Sequence, residues 1–210
     1  MLKPMSVALA LLLASCGFAA AACQGTEVEF EEAFNPPDPS WGANGDRNYA
    51  QDGKAFLKAD PNGLWYWVNP AFVFDNVFGC VTTKTPELKD AAAGTGGLVF
   101  WYENGDKYYI AAIKADGKIG IWRHTATGWV SSVPAIASTA IKTGTGAENT
   151  IEVEIHGNKG TLFVNGTKIT DFRGQPPKGG SSFGLYSESE KDQANIWEFS
   201  NLRVATAPAP

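Results

Sequence analysis

The sequence predicts an all-β domain, an antiparallel sandwich, on three observations. Apolar residues recur at alternate positions in about a dozen short runs, the period of a strand with one buried face. Asn-Gly and Asp-Gly dipeptides stand between such runs, and no stretch repeats its apolar residues at helical spacing. At 210 residues the chain is long enough to bury a sizeable core as one domain, expected over residues 23–204.

Residues 1–22 read as an export signal. Lys3 precedes an apolar run over residues 7–14, and small residues follow to Ala22. The run is too short for a membrane span. Two processing readings stay open. Cleavage after Ala20-Ala21-Ala22 leaves Cys23 at the mature end, whereas Leu13-Ala14-Ser15-Cys16 resembles a lipoprotein box with a lipid anchor on Cys16. Either implies a secreted or periplasmic bacterial protein in an oxidising compartment. Cys23 and Cys80 are therefore the expected disulfide, which loop-closure entropy values at up to about 4 kcal/mol.

Residues 27–34 alternate Val28 and Phe30 with glutamates, as in an edge strand, and residues 35–48 are loop. Residues 54–57 and 64–68 are short strands about the turn Asp60-Pro61-Asn62-Gly63. Residues 72–82 form a buried strand and 83–96 a polar loop.

Residues 98–103, 107–115 and 118–124 are then joined at Asn104-Gly105 and Asp116-Gly117, each read as a two-residue type I′ turn. That register puts Val99, Trp101, Tyr108, Ile110, Ala112, Ile119 and Ile121 on a core face. Phe100, Tyr102, Lys107, Tyr109, Trp122 and His124 fall on the other, where large rings mix with polar tips. The segment after His124 is loose, with Trp129 as its anchor. Ile151, Val153, Ile155, Leu162, Val164 and Ile169 form a further core face across the loop Gly157-Asn158-Lys159-Gly160 and the turn Asn165-Gly166. Residues 183–186 and 195–204 close the domain, and 205–210 are a disordered tail.

Asn149, Ile151, Val153 and Gly157, followed by Leu162, Val164, Asn165 and Gly166, resemble the N-x-I-x-V-x-x-x-G and L-x-V-N-G hairpin of concanavalin A-like jelly rolls. Phe183-Gly184-Leu185-Tyr186 and the run from Phe199 to Val204 are similar to the closing strands of that group, which includes laminin-G-like modules and 3-keto-disaccharide hydrolases. The resemblance implies a jelly roll and a glycan-related role. Family 16 glycoside hydrolases share the sandwich and carry a Glu-x-Asp-x-x-Glu strand. Glu152-Val153-Glu154-Ile155-His156 comes nearest, with Glu154 at the Asp position and no final Glu. Glu152 and Glu154 are the catalytic candidates on that likeness, although the same alternation suits a solvated sheet face.

Sugars are held by flat rings stacked on pyranose faces, beside polar groups that bind hydroxyls. Tyr102, Tyr109, Trp122 and His124, with Lys107 at the rim and Trp65 and Trp67 on a neighbouring strand, meet that need; the same rings would equally suit an inter-sheet core. A carbohydrate partner is expected. A net charge of −5 supplies no basic footprint for nucleic acid. No cofactor is implied: two histidines make no zinc cluster, and Asn44, Asp46, Asp75 and Asn76 offer oxygens to calcium without the spacing of a dedicated loop. The expected function is an exported carbohydrate-binding module. A hydrolase resembling the 3-keto-disaccharide group and an envelope structural or adhesion module are the alternatives.

Overall fold

A computed structural model describes residues 23–208, so the expected export signal over residues 1–22 and the expected lipid-anchor site Cys16 lie outside the described residues. The first seven strands are β1 Val28–Glu32, β2 Asn48–Gln51, β3 Lys54–Ala59, β4 Leu64–Phe74, β5 Val77–Lys84, β6 Gly94–Asn104 and β7 Lys107–Lys114. The rest are β8 Lys118–Thr125, β9 Gly128–Ala137, β10 Glu148–His156, β11 Lys159–Val164, β12 Thr167–Arg173, β13 Ser181–Ser189 and β14 Asn195–Thr206. They build two antiparallel sheets, one ordered β12-β11-β10-β5-β14-β3-β2 with β1 also on β14, the other β4-β13-β6-β7-β8-β9. The architecture is an all-β jelly-roll sandwich of two antiparallel sheets. Among the described residues no helix is long and apolar enough to cross a membrane.

The core lies between the sheets. Leu57, Val81, Ile151, Val153, Leu162, Val164 and Trp197 from the eight-stranded sheet meet Leu98, Phe100, Trp101, Tyr109, Ile113, Ile119, Ile121 and Leu185 from the six-stranded one. Alternation along each strand is what delivers these side chains to one side.

Register decides the rest. The turn after β7 holds three residues, Ala115-Asp116-Gly117, because Lys114 pairs with Lys118, and Gly117 takes φ +89°. Ala111 therefore faces Ile121 and Ile110 faces Trp122, one residue away from the two-residue expectation. A one-residue slip exchanges the faces of a strand. Tyr109 thus points into the core, while Tyr108, Ile110 and Ala112 point outward. In β6, pairing jumps from Phe100↔Tyr109 to Asn104↔Lys107, and the bulge leaves Trp101 at φ +45°. Phe100 and Trp101 both enter the core, and Tyr102 emerges on the outer face. At the β10–β11 hairpin the turn is Gly157-Asn158 alone, pairing Val153 with Leu162 and Ile151 with Val164. That slip of two residues leaves the expected faces intact, and only Ile169 stays half-buried.

The N-terminal segment crosses the outer side of the eight-stranded sheet. Cys23 is bonded to Cys80 with a Cα–Cα separation of 6.0 Å. The Arg203 guanidinium donates to the carbonyls of Cys23, Gln24 and Gly25 at 3.1, 2.8 and 2.8 Å. At the other end β14 runs through Thr206 into the segment expected as tail, because Val204, Ala205 and Ala207 are buried. The 83–96 segment is also shorter as a loop than expected: β5 continues to Lys84 and β6 begins at Gly94.

Candidate functional site

The outer face of the six-stranded sheet is apolar, which an outer face need not be. Val99, Tyr108, Ile110, Ala112 and Tyr186 are buried there, with Leu64, Tyr66, Val68, Tyr102 and Trp122 packed over them. The strand order explains the grouping, since β13 inserts between β4 and β6 and brings Tyr186 opposite both Tyr66 and Gly97.

The rings form a continuous surface. Tyr108 stacks on His124 with centroids 5.0 Å apart and planes inclined by 25°. Trp129 stands edge-on to Tyr108, His124 and Tyr186 at 5.6, 4.9 and 5.9 Å. Tyr66 extends the row, 5.0 Å from Tyr108 and 6.1 Å from Tyr102. Burial pushes the Tyr108 and Tyr186 phenols well up, and the Glu188 charge adds to both. These phenols are neutral donors at physiological pH. His124 Nδ1 is buried without a hydrogen-bond partner among the described residues.

A polar group closes one end of this surface. The Tyr186 hydroxyl donates to Glu188 Oε2 at 2.8 Å, and the Thr95 hydroxyl donates to Glu190 Oε1 at 3.1 Å. Lys114 forms its ion pair with Glu190. Burial raises the Glu188 carboxyl above the ordinary carboxylate range, the Tyr186 bond opposes that shift, and the Glu190 charge adds to it. Thr95, Ile110, Lys114, Trp122, Trp129, Tyr186, Glu188 and Glu190 line a cavity of about 280 Å³. That volume lies at the small end of ligand sites and suits one ring.

Of the expected site residues, Tyr102, Trp122 and His124 reach this face. Tyr109 does not: the register described above turns it inward, where its hydroxyl accepts from Gln175 N at 2.9 Å. Trp65 and Trp67 also pack toward the core side. Trp67 Nε1 donates to the Trp41 carbonyl at 2.7 Å, and Trp65 lies under Arg47 with Nε1 on Asn48 Oδ1 at 3.2 Å. The strand residue that reaches the face is Tyr66, between them. Lys107 pairs with Glu103 at the exposed hairpin end.

Glu152 and Glu154 occupy the outer face of the other sheet, away from the rings. Glu152 is buried and accepts from Gln24 N and Nε2 at 2.7 and 2.6 Å, which ties down the N-terminal segment. Glu154 binds His156 Nε2 at 2.9 Å. A cavity of about 810 Å³ opens beside that pair, lined also by Lys159, Asp171 and Arg173. Of its two aromatic rings, Phe172 belongs to the core and His156 is held by Glu154, so it offers no stacking platform like that of the other face. Of the oxygens considered for calcium, Asn44 Oδ1 accepts from Ala50 N at 3.0 Å and Asn76 Oδ1 accepts from Gly157 N at 3.1 Å.

Sequence reasoning passed over Tyr66, Lys114, Tyr186, Glu188 and Glu190. The alternation Gly184, Tyr186, Glu188 against Phe183, Leu185, Ser187 was the available signal, since it puts a phenol and a carboxylate on one face.

No protein-family model and no curated relative matches the chain. Solved structures do. The carbohydrate binding module CBM66 from Bacillus subtilis superposes with a TM-score of 0.56 at 13% identity, over 72% of this chain and 86% of that one. A Bacillus licheniformis β-glucanase gives 0.61 at 11% identity, over 87% of this chain and 100% of that one. LamAcat from Zobellia galactanivorans gives 0.61 at 11% identity, over 86% and 98%. These likenesses establish the jelly-roll fold.

Proposed function

We propose that this is an exported carbohydrate-binding module whose ligand lies on the outer face of the six-stranded sheet. One observation carries the reading: a single cavity joins the rings of Trp122, Trp129 and Tyr186 to the hydrogen-bonding groups of Thr95, Lys114, Glu188 and Glu190. A pyranose needs both, an apolar face to cover its C–H bonds and directed polar groups for its hydroxyls. The solved structures that share the fold include a carbohydrate binding module and a β-glucanase, which is consistent with this use of the scaffold. The Cys23–Cys80 bond accords with export to an oxidising compartment.

The test is a glycan array on residues 23–210 of the wild type, Trp122→Ala and Trp129→Ala, with folding checked by circular dichroism. Binding lost in both folded variants is the expected result. No wild-type binding to any glycan overturns the proposal and leaves a protein-contact role ahead.

Hydrolysis is a second reading, favoured by Glu188 and Glu190. Two residues apart on one face, they differ in setting: burial raises the Glu188 carboxyl, as a general acid requires, while Lys114 and Thr95 hold Glu190. Turnover of a bound oligosaccharide that disappears in Glu188→Gln would select it.

A further inference from the structure

The polar end of the cavity carries a charge imbalance. Two carboxylates, Glu188 and Glu190, face one ammonium, Lys114, and that ammonium is taken up by Glu190. Glu188 has a single donor, the Tyr186 hydroxyl on Oε2, and no ion pair of its own among the described residues, Lys114 reaching it only as a neighbouring charge behind the burial, Tyr186 and Glu190 effects. The remaining walls leave the deficit in place. Trp122, Trp129 and Tyr186 contribute electron-rich rings and Ile110 an aliphatic side chain, none of which supplies a counter-charge. A half-buried carboxylate among aromatic rings is the arrangement that favours a bound cation, through Coulombic attraction and cation–π contact together.

Neutral hydroxyls would satisfy the hydrogen-bonding capacity of Glu188 and leave the charge uncompensated. An ammonium would satisfy both. Uronate or sulfate groups would bring a third negative charge to the same end. Resting on the saccharide-binding reading above, we infer that the ligand is an amino sugar with a free ammonium group, seated with its ring against Trp122 and Trp129 and its ammonium on Glu188 Oε1. A charge-assisted bond is about twice as strong as a neutral one, so the free amine is expected to bind roughly tenfold more tightly than its N-acetyl counterpart. The acidic sugar of the same configuration binds most weakly.

The experiment is isothermal titration of the mature protein with matched oligosaccharides of gluco, galacto and manno configuration. Each is supplied as free amine, N-acetylated amine, hydroxyl and uronate. The readout is the ratio of amine to N-acetyl affinity. Wild type is expected near ten. Glu188→Gln removes the unpaired charge and brings the ratio to about one, while Lys114→Met frees Glu190 and raises it above the wild-type value. Equal affinity for amine, N-acetyl and hydroxyl forms in the wild type overturns the amino-sugar assignment and leaves the binding proposal standing. A uronate preference overturns it in the opposite sense, making Lys114 the recognition group. Absence of binding in every series refutes the saccharide reading itself, and the two failures are thereby told apart.

Discussion

Gly120 is the floor on which Trp122 rests, and that gives the sharpest test of the site. It lies two residues before Trp122 on the same face of β8, opposite Ala112. A Cβ placed there would stand 2.8 Å from Cη2 of Trp122, 3.2 Å from its Cζ2 and 2.8 Å from the Val133 carbonyl oxygen. Both contacts are too close for a real Cβ, and the indole, the far end of a side chain, yields more readily than the backbone carbonyl, which is left to be relieved by a shift of the strand. In Gly120→Ala we expect an overpacking cost of about 1–3 kcal/mol. For a domain of this size that lowers Tm by roughly 2–10 °C. The ring shift also removes the stacking surface, so saccharide affinity should fall nearly as far as in Trp122→Ala. The decisive measurement is the double mutant. With the indole gone, the contact with the ring disappears and that with the carbonyl remains, so Gly120→Ala should cost less in the Trp122→Ala background by at least about 0.5 kcal/mol, a coupling readable from urea unfolding. Additive costs, or a Gly120→Ala protein that binds sugar like wild type, would refute the placement of the ring over the glycine.

Three further outcomes are expected. Tyr186→Phe removes the bond that opposes the upward shift of the Glu188 carboxyl, so the acid limb of the binding pH profile should move to higher pH, and an unmoved limb would sever Glu188 from recognition. Cys80→Ser opens the loop from Cys23 and should cost up to about 4 kcal/mol, or roughly 10 °C in Tm, measured against reduced wild type as a control. Burial raises the Glu152 carboxyl, with the Gln24 bonds only partly offsetting it, so the folded chain holds that proton more tightly than the unfolded one. The associated stability is present below the unfolded carboxylate value of about 4.3 and is lost as pH rises through the raised folded value. Wild type should therefore lose ground to Glu152→Gln across that window in paired thermal melts, and a flat or rising difference would contradict the burial account.

How much of this was legible depended on where a register error falls. The alternation of Ile151, Val153, Ile155, Leu162 and Val164 located a core face correctly although the turn was misjudged, because a slip of two preserves parity. At Asp116-Gly117 the slip was one, and it sent Tyr109 inward and Tyr108 outward. Tyr102 reached the expected face only because the β6 bulge at Trp101 reverses parity a second time. No local signal distinguishes a two-residue from a three-residue turn at Asp-Gly, since both accept Gly at positive φ. The polar end was hidden for a different reason. Glu188 and Thr95 become neighbours through the insertion of β13 beside β6, a non-local pairing that turn chemistry does not specify.

The two outer faces of the same molecule provide an internal comparison for the functional assignment. On the eight-stranded sheet, Glu154, Thr161 and Asp171 lie across from one another, as do His156, Lys159 and Arg173. That is the wet surface an antiparallel sheet ordinarily shows to solvent. On the six-stranded sheet the corresponding positions hold Val99, Tyr108, Ile110, Ala112 and Tyr186, with Trp129 exposed above them. Burying the inner face suffices for a sandwich, so the fold does not require a second apolar face. Holding Glu188 half-buried among those rings raises its carboxyl, which is unfavourable in the free protein at neutral pH and is relieved by a ligand that supplies donors or charge. Trp122, Trp129 and Tyr186 of that face line one cavity with the raised carboxylate, and ligand recognition accounts for both at once.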